Sequence, residues 1–430
     1  MREKTSRLAV LGMLLAAALM LSVAAPAAVK RPAAGRIDPF LGEAKFEIQQ
    51  IFSGGVDGKR GGGRLPNIAV ATDGTVLATH GASGGSGDWW KRGLQVRRSA
   101  DGGKTWSKPI TIANPGWQGG GLTVDENTGD VLAFVEGRYV GNDPGAVKAI
   151  IYRSKDQGTT WKPGKAVIAP DKNGNVPSMS MAEHGITLRY GKHKGRLLRP
   201  TRNYAGGDRR SEWSKMYTNA IYSDDGGKTW KTSDPFPAMG TGEGAVVELS
   251  DGRIYYNTRR HWEPSGSASS MRWEAWSDDG GATWRKPAVS KVLPDGPQGK
   301  GTNGCHGGLI RLPISGRDII LYSNCDSPTR DRNNVSVWAS FDGGKTWPIK
   351  RSVYAGPSAY SSLSAGRPGT TSAGWIYILL EGGKKYRHEG AYMGRFNLTW
   401  LLKGKKTGDG TLPSSGERDV IQRAAAMANR

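Results

Sequence analysis

Glu243 and Arg259 stand 16 residues apart on either side of Asp251-Gly252. A tight turn at that Asp-Gly folds the flanking apolar segments into a hairpin, so the carboxylate that starts one strand and the guanidinium that ends the next arrive at the same end. Such a pair can hold an anion or take a proton from a neighbouring group; Arg260 is a competing cation at the same place. Asp88 follows Gly84-Gly85-Ser86-Gly87 and precedes Trp89 and Trp90. An aspartate in such a segment is ordinarily a turn residue and gains a chemical role only in company. Arg64, Arg332, Tyr360 and Glu381 lie at the ends of strand-like segments, where arginine and tyrosine ordinarily serve packing or solubility. The six histidines show no HExxH spacing and neither cysteine belongs to a CxxC pair, so a metal site has no support in the sequence. Cys325 to Arg330 departs from a sulfatase-type nucleophile loop, because its proline and arginine each fall one place late.

Candidates spread from Arg64 to Glu381 meet only in a fold that returns repeatedly to one axis. The composition supplies one. Gly is 63 of 430 residues and Trp 15, and long runs of helix formers are missing outside the two ends, which implies many short strands joined by turns. The turns carry a repeat, Ser-x-Asp-x-Gly-x-Thr-Trp. It occurs at Ser99 to Trp106, Ser154 to Trp161, Ser223 to Trp230, Ser277 to Trp284 and Ser340 to Trp347, with spacings of 55, 69, 54 and 63 residues. Each copy follows a segment with strand-like alternation. The aspartates Asp101, Asp156, Asp225, Asp279 and Asp342 can accept backbone N–H bonds within the turn, the glycine two places on supplies a positive φ, and the tryptophan brings apolar area to pack between sheets. Residues repeated around a ring cannot all line one site, so the boxed aspartates are structural.

The ends differ from the middle. Arg2, Lys4 and Arg7 precede an apolar run from Leu8 to Val23 and the small residues Ala25-Pro26-Ala27, the pattern of a cleaved export signal over residues 1–28. The apolar run is 16 residues, short of the roughly 20 that span a bilayer, so no stable membrane span is expected after cleavage. Residues 29–45 read as a linker, 46–402 as the repeat-bearing domain, and 403–430 as a polar tail with a short helix. The formal charge of +22 suits an acidic partner. Nucleic acid is the weakest candidate, since no helix-turn-helix, aromatic RNA-binding strand or basic helix accompanies the charge. Cys305 and Cys325 flank a hairpin, and both a disulfide and two buried thiols remain open there.

The repeats are Asp boxes, and the chain resembles the exo-α-sialidase family, whose fold is an all-β, six-bladed β-propeller of four-stranded antiparallel blades. The resemblance covers roughly Gly63 to Leu402. An Arg-Ile-Pro-like tripeptide opens the family's first blade; here it reads Arg64-Leu65-Pro66. Asp88 falls 24 residues later, in the place of the family's acid/base aspartate. Glu243 to Arg253 followed by Asn257-Thr258-Arg259 resembles the fourth-blade signature, and the order Arg332, fifth box, Ala359-Tyr360-Ser361-Ser362-Leu363, Glu381 matches the rest. The resemblance implies catalytic roles for Asp88, Glu243 and Tyr360, with Arg64, Arg259 and Arg332 on the substrate carboxylate and Glu381 steadying Arg64. It implies no cofactor and no metal. Ala82-Ser83 stands where many members carry a further arginine, and Trp89, Trp90, Met179 and Met181 are additional pocket candidates.

The chemistry is coherent. A sialic acid carries a carboxylate on its anomeric carbon, which three guanidiniums can grip in fixed geometry. A carboxylate nucleophile would meet like charge there, and a neutral tyrosine avoids it. The expectation is therefore an exported enzyme acting on sialylated glycans. Ala82-Ser83 keeps a related nonulosonic or acidic sugar as an alternative substrate, and a non-catalytic glycan-binding propeller is the alternative of a different class.

Overall fold

The computed structural model describes residues 36, 38–53, 64–82, 93–114, 116–118, 120–136, 149–179, 183–204, 210–262, 271–299 and 302–402. The export signal expected over 1–28, residues 29–35 and 37 of the linker, Ser83, Asp88 with Trp89 and Trp90, Met181, and the tail 403–430 lie outside the described residues.

Strands follow one another in antiparallel order, as the turn spacing requires. One sheet is Arg64–Val70, Val76–Ala82, Gly93–Ser99 and Ile110–Ala113, each paired with its successor. In the next, Thr123–Val124 and Trp117–Gln118 both pair with Val131–Glu136, followed by Ala149–Ser154 and Lys162–Gly164. A third runs Ile186–Thr187, Leu197–Asn203, Tyr217–Ser223 and Thr229–Thr232, with Val167–Ile168 added in parallel on its outer edge. The fourth is Thr241–Glu248, Ile254–Arg260, Met271–Ser277 and Arg285–Pro294. The protein is thus a β-propeller of four-stranded antiparallel blades. Where six blades were expected, five sheets are present among the described residues, because the last is seven-stranded. It runs from Gly308–Arg311 through Ile320–Cys325, Asn333–Ser340, the 17-residue strand Ile349–Ala365, Ile376–Gly382 and Gly390–Phe396 to Phe46–Ser53. The long strand pairs through Ile349 to Pro357 with one neighbour and through Ser358 to Ala365 with the other.

Every box joins the third strand of its sheet to the fourth and closes on itself. In the first, Ser99 Oγ donates to Asp101 Oδ1 at 2.7 Å and accepts from Gly103 N at 2.8 Å. Asp101 in turn accepts from the Thr105 amide at 3.0 Å and from its hydroxyl at 2.6 Å. Desolvation works against the charge, yet the Thr105 and Ser99 hydrogen bonds hold the Asp101 carboxyl far below the usual carboxylate range. The box tryptophans face the preceding sheet. Trp230 packs edge-on against Phe134 of that sheet with centroids 5.6 Å apart; Trp284 reaches back through Nε1, which donates to Ser233 Oγ at 3.0 Å, while its ring packs edge-on against Tyr256 of its own sheet at 4.6 Å. Most of the core is the set of inter-sheet seams that these side chains fill. Among the described residues no helix is long and apolar enough to cross a membrane.

Candidate active site

Innermost strands converge on the ring axis, and their ends form the site. Three carry a β-bulge where a candidate residue sits: the register shifts between Arg64 and Asn67, between Thr241 and Gly244, and between Ser358 and Ser361. An extra residue in one strand bends it and re-aims its side chains, which brings Arg64, Glu243 and Tyr360 toward one point. At the first bulge Leu65 adopts φ 64°, a left-handed conformation costly for a leucine, and its amide donates to Glu381 Oε1 at 3.0 Å. Strain at that bulge is thereby coupled to the residue beside Arg64.

Arg64, Glu243, Arg259, Arg332 and Tyr360 line one cavity of about 400 Å³, with Glu381 buried behind Arg64. Tyr360 Oη donates to Glu243 Oε1 at 2.8 Å. Arg259 Nη1 reaches both Glu243 oxygens, at 2.8 and 2.6 Å, and Tyr360 Oη at 3.1 Å. The guanidinium carbons of Arg64 and Arg332 lie 5.5 and 5.3 Å from the Tyr360 ring centroid. Glu381 accepts from Arg64 Nε at 3.2 Å and from the Tyr360 amide at 3.3 Å, and pairs with His388 Nδ1 at 3.0 Å. Burial, then the Glu243 charge, push the Tyr360 phenol well above its ordinary range. Although burial opposes it, Arg259 and then Arg202 hold Glu243 well below the usual carboxylate range, so Glu243 is ionised and ready to accept the phenolic proton. Arg259 rather than Arg260 takes the pocket: the Arg260 guanidinium stacks on Trp273 at 5.1 Å, and its amide donates to Asp295 Oδ2 at 2.8 Å. Glu248, at the far end of Glu243's strand, accepts from the Arg189 and Tyr190 amides, away from the cavity. Met179 is fully buried outside the cavity lining. Asp88 lies outside the described residues.

Several functional supports carry no motif. The carbonyls of Asn303 and Gly304 receive Arg259 Nε at 2.6 Å and Arg332 Nη2 at 2.8 Å, so one turn orients two of the three arginines. Gly304 has φ +67°, and a Cβ there would fall 2.2 Å from Asp295 Oδ2, so only glycine fits. Beneath it, wholly buried Arg272 pairs with Asp295 at 3.0 Å and donates to the carbonyls of Cys305 and Glu243. Burial nonetheless raises Asp295 to a pKa of about 6. Glu183 gathers Asn67, His306, Ser362 and the Leu363 amide from three separate segments of the chain. Such side chains are found by position alone; only their polarity within apolar strands hinted at them. Cys305 and Cys325 are both buried free thiols with sulfurs 4.0 Å apart, and the Cys325 thiol faces the carbonyls of Ser358 and Ala359, just before Tyr360.

Known proteins resemble this chain in sequence and in fold. Residues 117–372 match the BNR repeat-like domain. A sialidase of Micromonospora viridifaciens is 30% identical over 419 residues, covering 90% of this chain and 59% of that protein. A Bacteroides fragilis sialidase is 27% identical over 317 residues, 66% of this chain and 54% of that one. The chain therefore spans less than two thirds of the length of these curated relatives. Among solved structures, the Hadza microbial sialidase Hz136 superposes with a TM-score of 0.61 at 23% identity, covering 79% of this chain and 66% of that one, a likeness of fold. Asp boxes, blade order and the match over more than half its length make this chain a member of the BNR-repeat propeller family to which the sialidases belong.

Proposed function

We propose that the protein is an exo-α-sialidase that hydrolyses terminal sialic acids from glycoconjugates with retention, through a tyrosyl-glycoside. One observation carries the reading: a buried tyrosine donates at 2.8 Å to an ionised glutamate, beneath three arginines in one cavity. A structural tyrosine needs neither that base nor three arginines gathered around it. In the first step Asp88 gives its proton to the leaving glycosidic oxygen as the anomeric C–O bond breaks. Tyr360 Oη bonds to the anomeric carbon while its proton passes to Glu243. In the second, water attacks that carbon and yields a proton to Asp88, the C–Oη bond breaks, and Tyr360 recovers its proton from Glu243. A tyrosine nucleophile is a known exception to the paired carboxylates of glycosidases. Arg64, Arg259 and Arg332 hold the carboxylate, and Glu381 fixes Arg64.

The same reading takes the ring as six blades. The seven-stranded sheet divides where Ile349–Ala365 changes partner, which leaves four strands on one side and, counting the shared strand again, four on the other. The propeller then occupies 46–402 of an exported chain, behind a signal at 1–28 and a linker to 45. Turnover of an aryl α-sialoside tests the activity: the wild type releases the chromophore, and Tyr360→Phe lowers kcat by about a thousandfold or more. Full activity in Tyr360→Phe sinks the mechanism. Turnover only of another acidic glycoside makes that sugar the substrate, and binding without turnover leaves a lectin.

A further inference from the structure

Among the described residues the cavity is lined by six arginines, Arg64, Arg202, Arg259, Arg330, Arg332 and Arg387, and by one carboxylate, Glu243. Arg64 rests on Glu381, Arg259 and Arg202 face Glu243, and Arg332 reaches the Gly304 carbonyl. Among the described residues Arg387 has no carboxylate partner. It stands in the loop between Ile376–Gly382 and Gly390–Phe396, where its Nε donates to His388 Nε2 at 3.2 Å and its guanidinium carbon lies 5.6 Å from the Tyr386 ring centroid. Because Nε2 accepts, the His388 proton is on Nδ1, 3.0 Å from Glu381 Oε2. Arg387 is thus held through Nε by the same histidine and glutamate that back Arg64. Its Nη1 and Nη2 make no bond to the protein and keep solvent access. The loop supplies no counter-ion: Glu389 accepts the amides of Lys384, Lys385 and Tyr386 at 2.8, 3.0 and 2.9 Å.

We propose that Arg387 is a recognition site for an acid group, a carboxylate or a sulfate ester, on the sugar that leaves; this rests on the activity proposed above. Position selects the partner. The substrate's carboxylate and its leaving oxygen sit on one carbon, so a further cation on the Arg64 side, beyond the three that hold the carboxylate, meets what the leaving oxygen carries. Arg64 is 9% exposed and Arg387 half-buried, which sets Arg387 nearer the mouth, where the leaving sugar lies. Chemistry selects the group. A guanidinium fixed at Nε presents its two terminal nitrogens as a fork, which a carboxylate or sulfate meets with two charge-assisted bonds. A hydroxyl would leave this partly desolvated cation, close to Arg64, without a counter-charge, and an ammonium would be repelled.

Initial rates of sialic acid release from two pairs of compounds test this. One pair is an α2,8-linked disialoside and the same compound with its inner carboxylate converted to a methyl amide; the other is 3′-sialyllactose with and without a sulfate ester on the galactose 6-hydroxyl. The wild type favours the charged member of at least one pair by about tenfold or more in kcat/KM at low salt. A response in the disialoside pair alone makes the acid a second sialic acid, and in the lactose pair alone a sulfate. Arg387→Met lowers kcat/KM for that charged member about tenfold and for its neutral twin by less than about threefold, while Arg387→Lys keeps part of the preference. Raising the salt to about 300 mM shrinks the wild-type preference several-fold. Equal rates within both pairs, or a preference that survives Arg387→Met or high salt, overturns the inference and leaves the sialidase reading standing. Release from none of the four compounds sinks both. Thermal melts check folding; should Arg387→Met not fold, Arg387→Lys and the salt series carry the comparison.

Discussion

The hydroxyl of Tyr360 meets two opposed demands: burial and Glu243 keep its proton on, while Arg259, Arg332 and Arg64 favour the phenolate. The balance holds the residue neutral until a substrate carboxylate occupies the arginines, and only then does attack need the proton to move to Glu243. Glu381 supports the arrangement from behind, since one carboxylate joins Arg64, His388 and the amides of Leu65 and Tyr360. His388 and then Arg64, against the cost of burial, depress its pKa below the ordinary range. A carboxyl whose folded pKa is depressed contributes stability that is fully present above its unfolded value, about 4.3, and lost as pH falls through the folded value. The midpoint of thermal unfolding should therefore drop steeply below about pH 4.3. Glu381→Gln should flatten that dependence, lower the neutral-pH midpoint, and raise KM by about tenfold or more as Arg64 loses its partner. An unchanged acid profile in Glu381→Gln, followed by circular dichroism, would remove the residue from this role. The residues with a signature were legible because each had local company: Arg64 its tripeptide, Glu243 and Arg259 their Asp-Gly turn. Arg387, His388 and the Asn303-Gly304 carbonyls were not, because nothing near them in the chain distinguishes a side chain that meets the axis from one that packs.

Blades are held one to the next by the boxes, whose second glycine does two jobs. Gly281 has φ +87°, and a Cβ on it would come within 2.5 Å of Leu198 Cδ1 on the preceding sheet. Gly316 also has a positive φ, +64°, but a Cβ there would meet nothing within 4 Å. Gly316→Ala should therefore cost only the left-handed conformation, about 1 kcal/mol, whereas Gly281→Ala adds overpacking at the seam and should cost about 2–4 kcal/mol. Urea unfolding measures both, and equal losses would mean that the seam is more yielding than its contacts imply. These turns were the most legible part of the fold, since serine, aspartate, glycine, threonine and tryptophan form one closed unit within eight residues. Innermost strands were harder. Thr123–Val124 and Ile186–Thr187 are two residues each, too short for alternation to register. Ile349–Ala365 runs through Gly356-Pro357, where Pro357 pairs opposite Asn333 at a bulge and Asn334 Oδ1 accepts the Gly356 amide at 2.9 Å.

A ring must be closed, and here the closure is made by the beginning of the described chain on its end. Phe46–Ser53 pairs with Gly390–Phe396 over its whole length. Arg395 forks onto Glu47 at 3.0 and 2.6 Å, Asn397 takes the Lys45 amide and donates to the Glu43 carbonyl, and Phe46 stacks on Trp400 at 4.4 Å. Without this strand Gly390–Phe396 becomes an open edge, and the neighbouring Ile376–Gly382 holds Glu381 against Arg64 from the other side. Stability and site geometry are thus coupled through closure rather than through any contact between the terminal strand and the cavity. Deleting residues through Ser53 should lower the unfolding midpoint and broaden the transition, and it should raise KM through Arg64 more than it lowers kcat through Tyr360. A synthetic peptide of residues 38–53, added in excess, should restore part of both by adding itself to the open edge. A truncated protein with wild-type midpoint and KM would show that the first strand decorates a ring already closed.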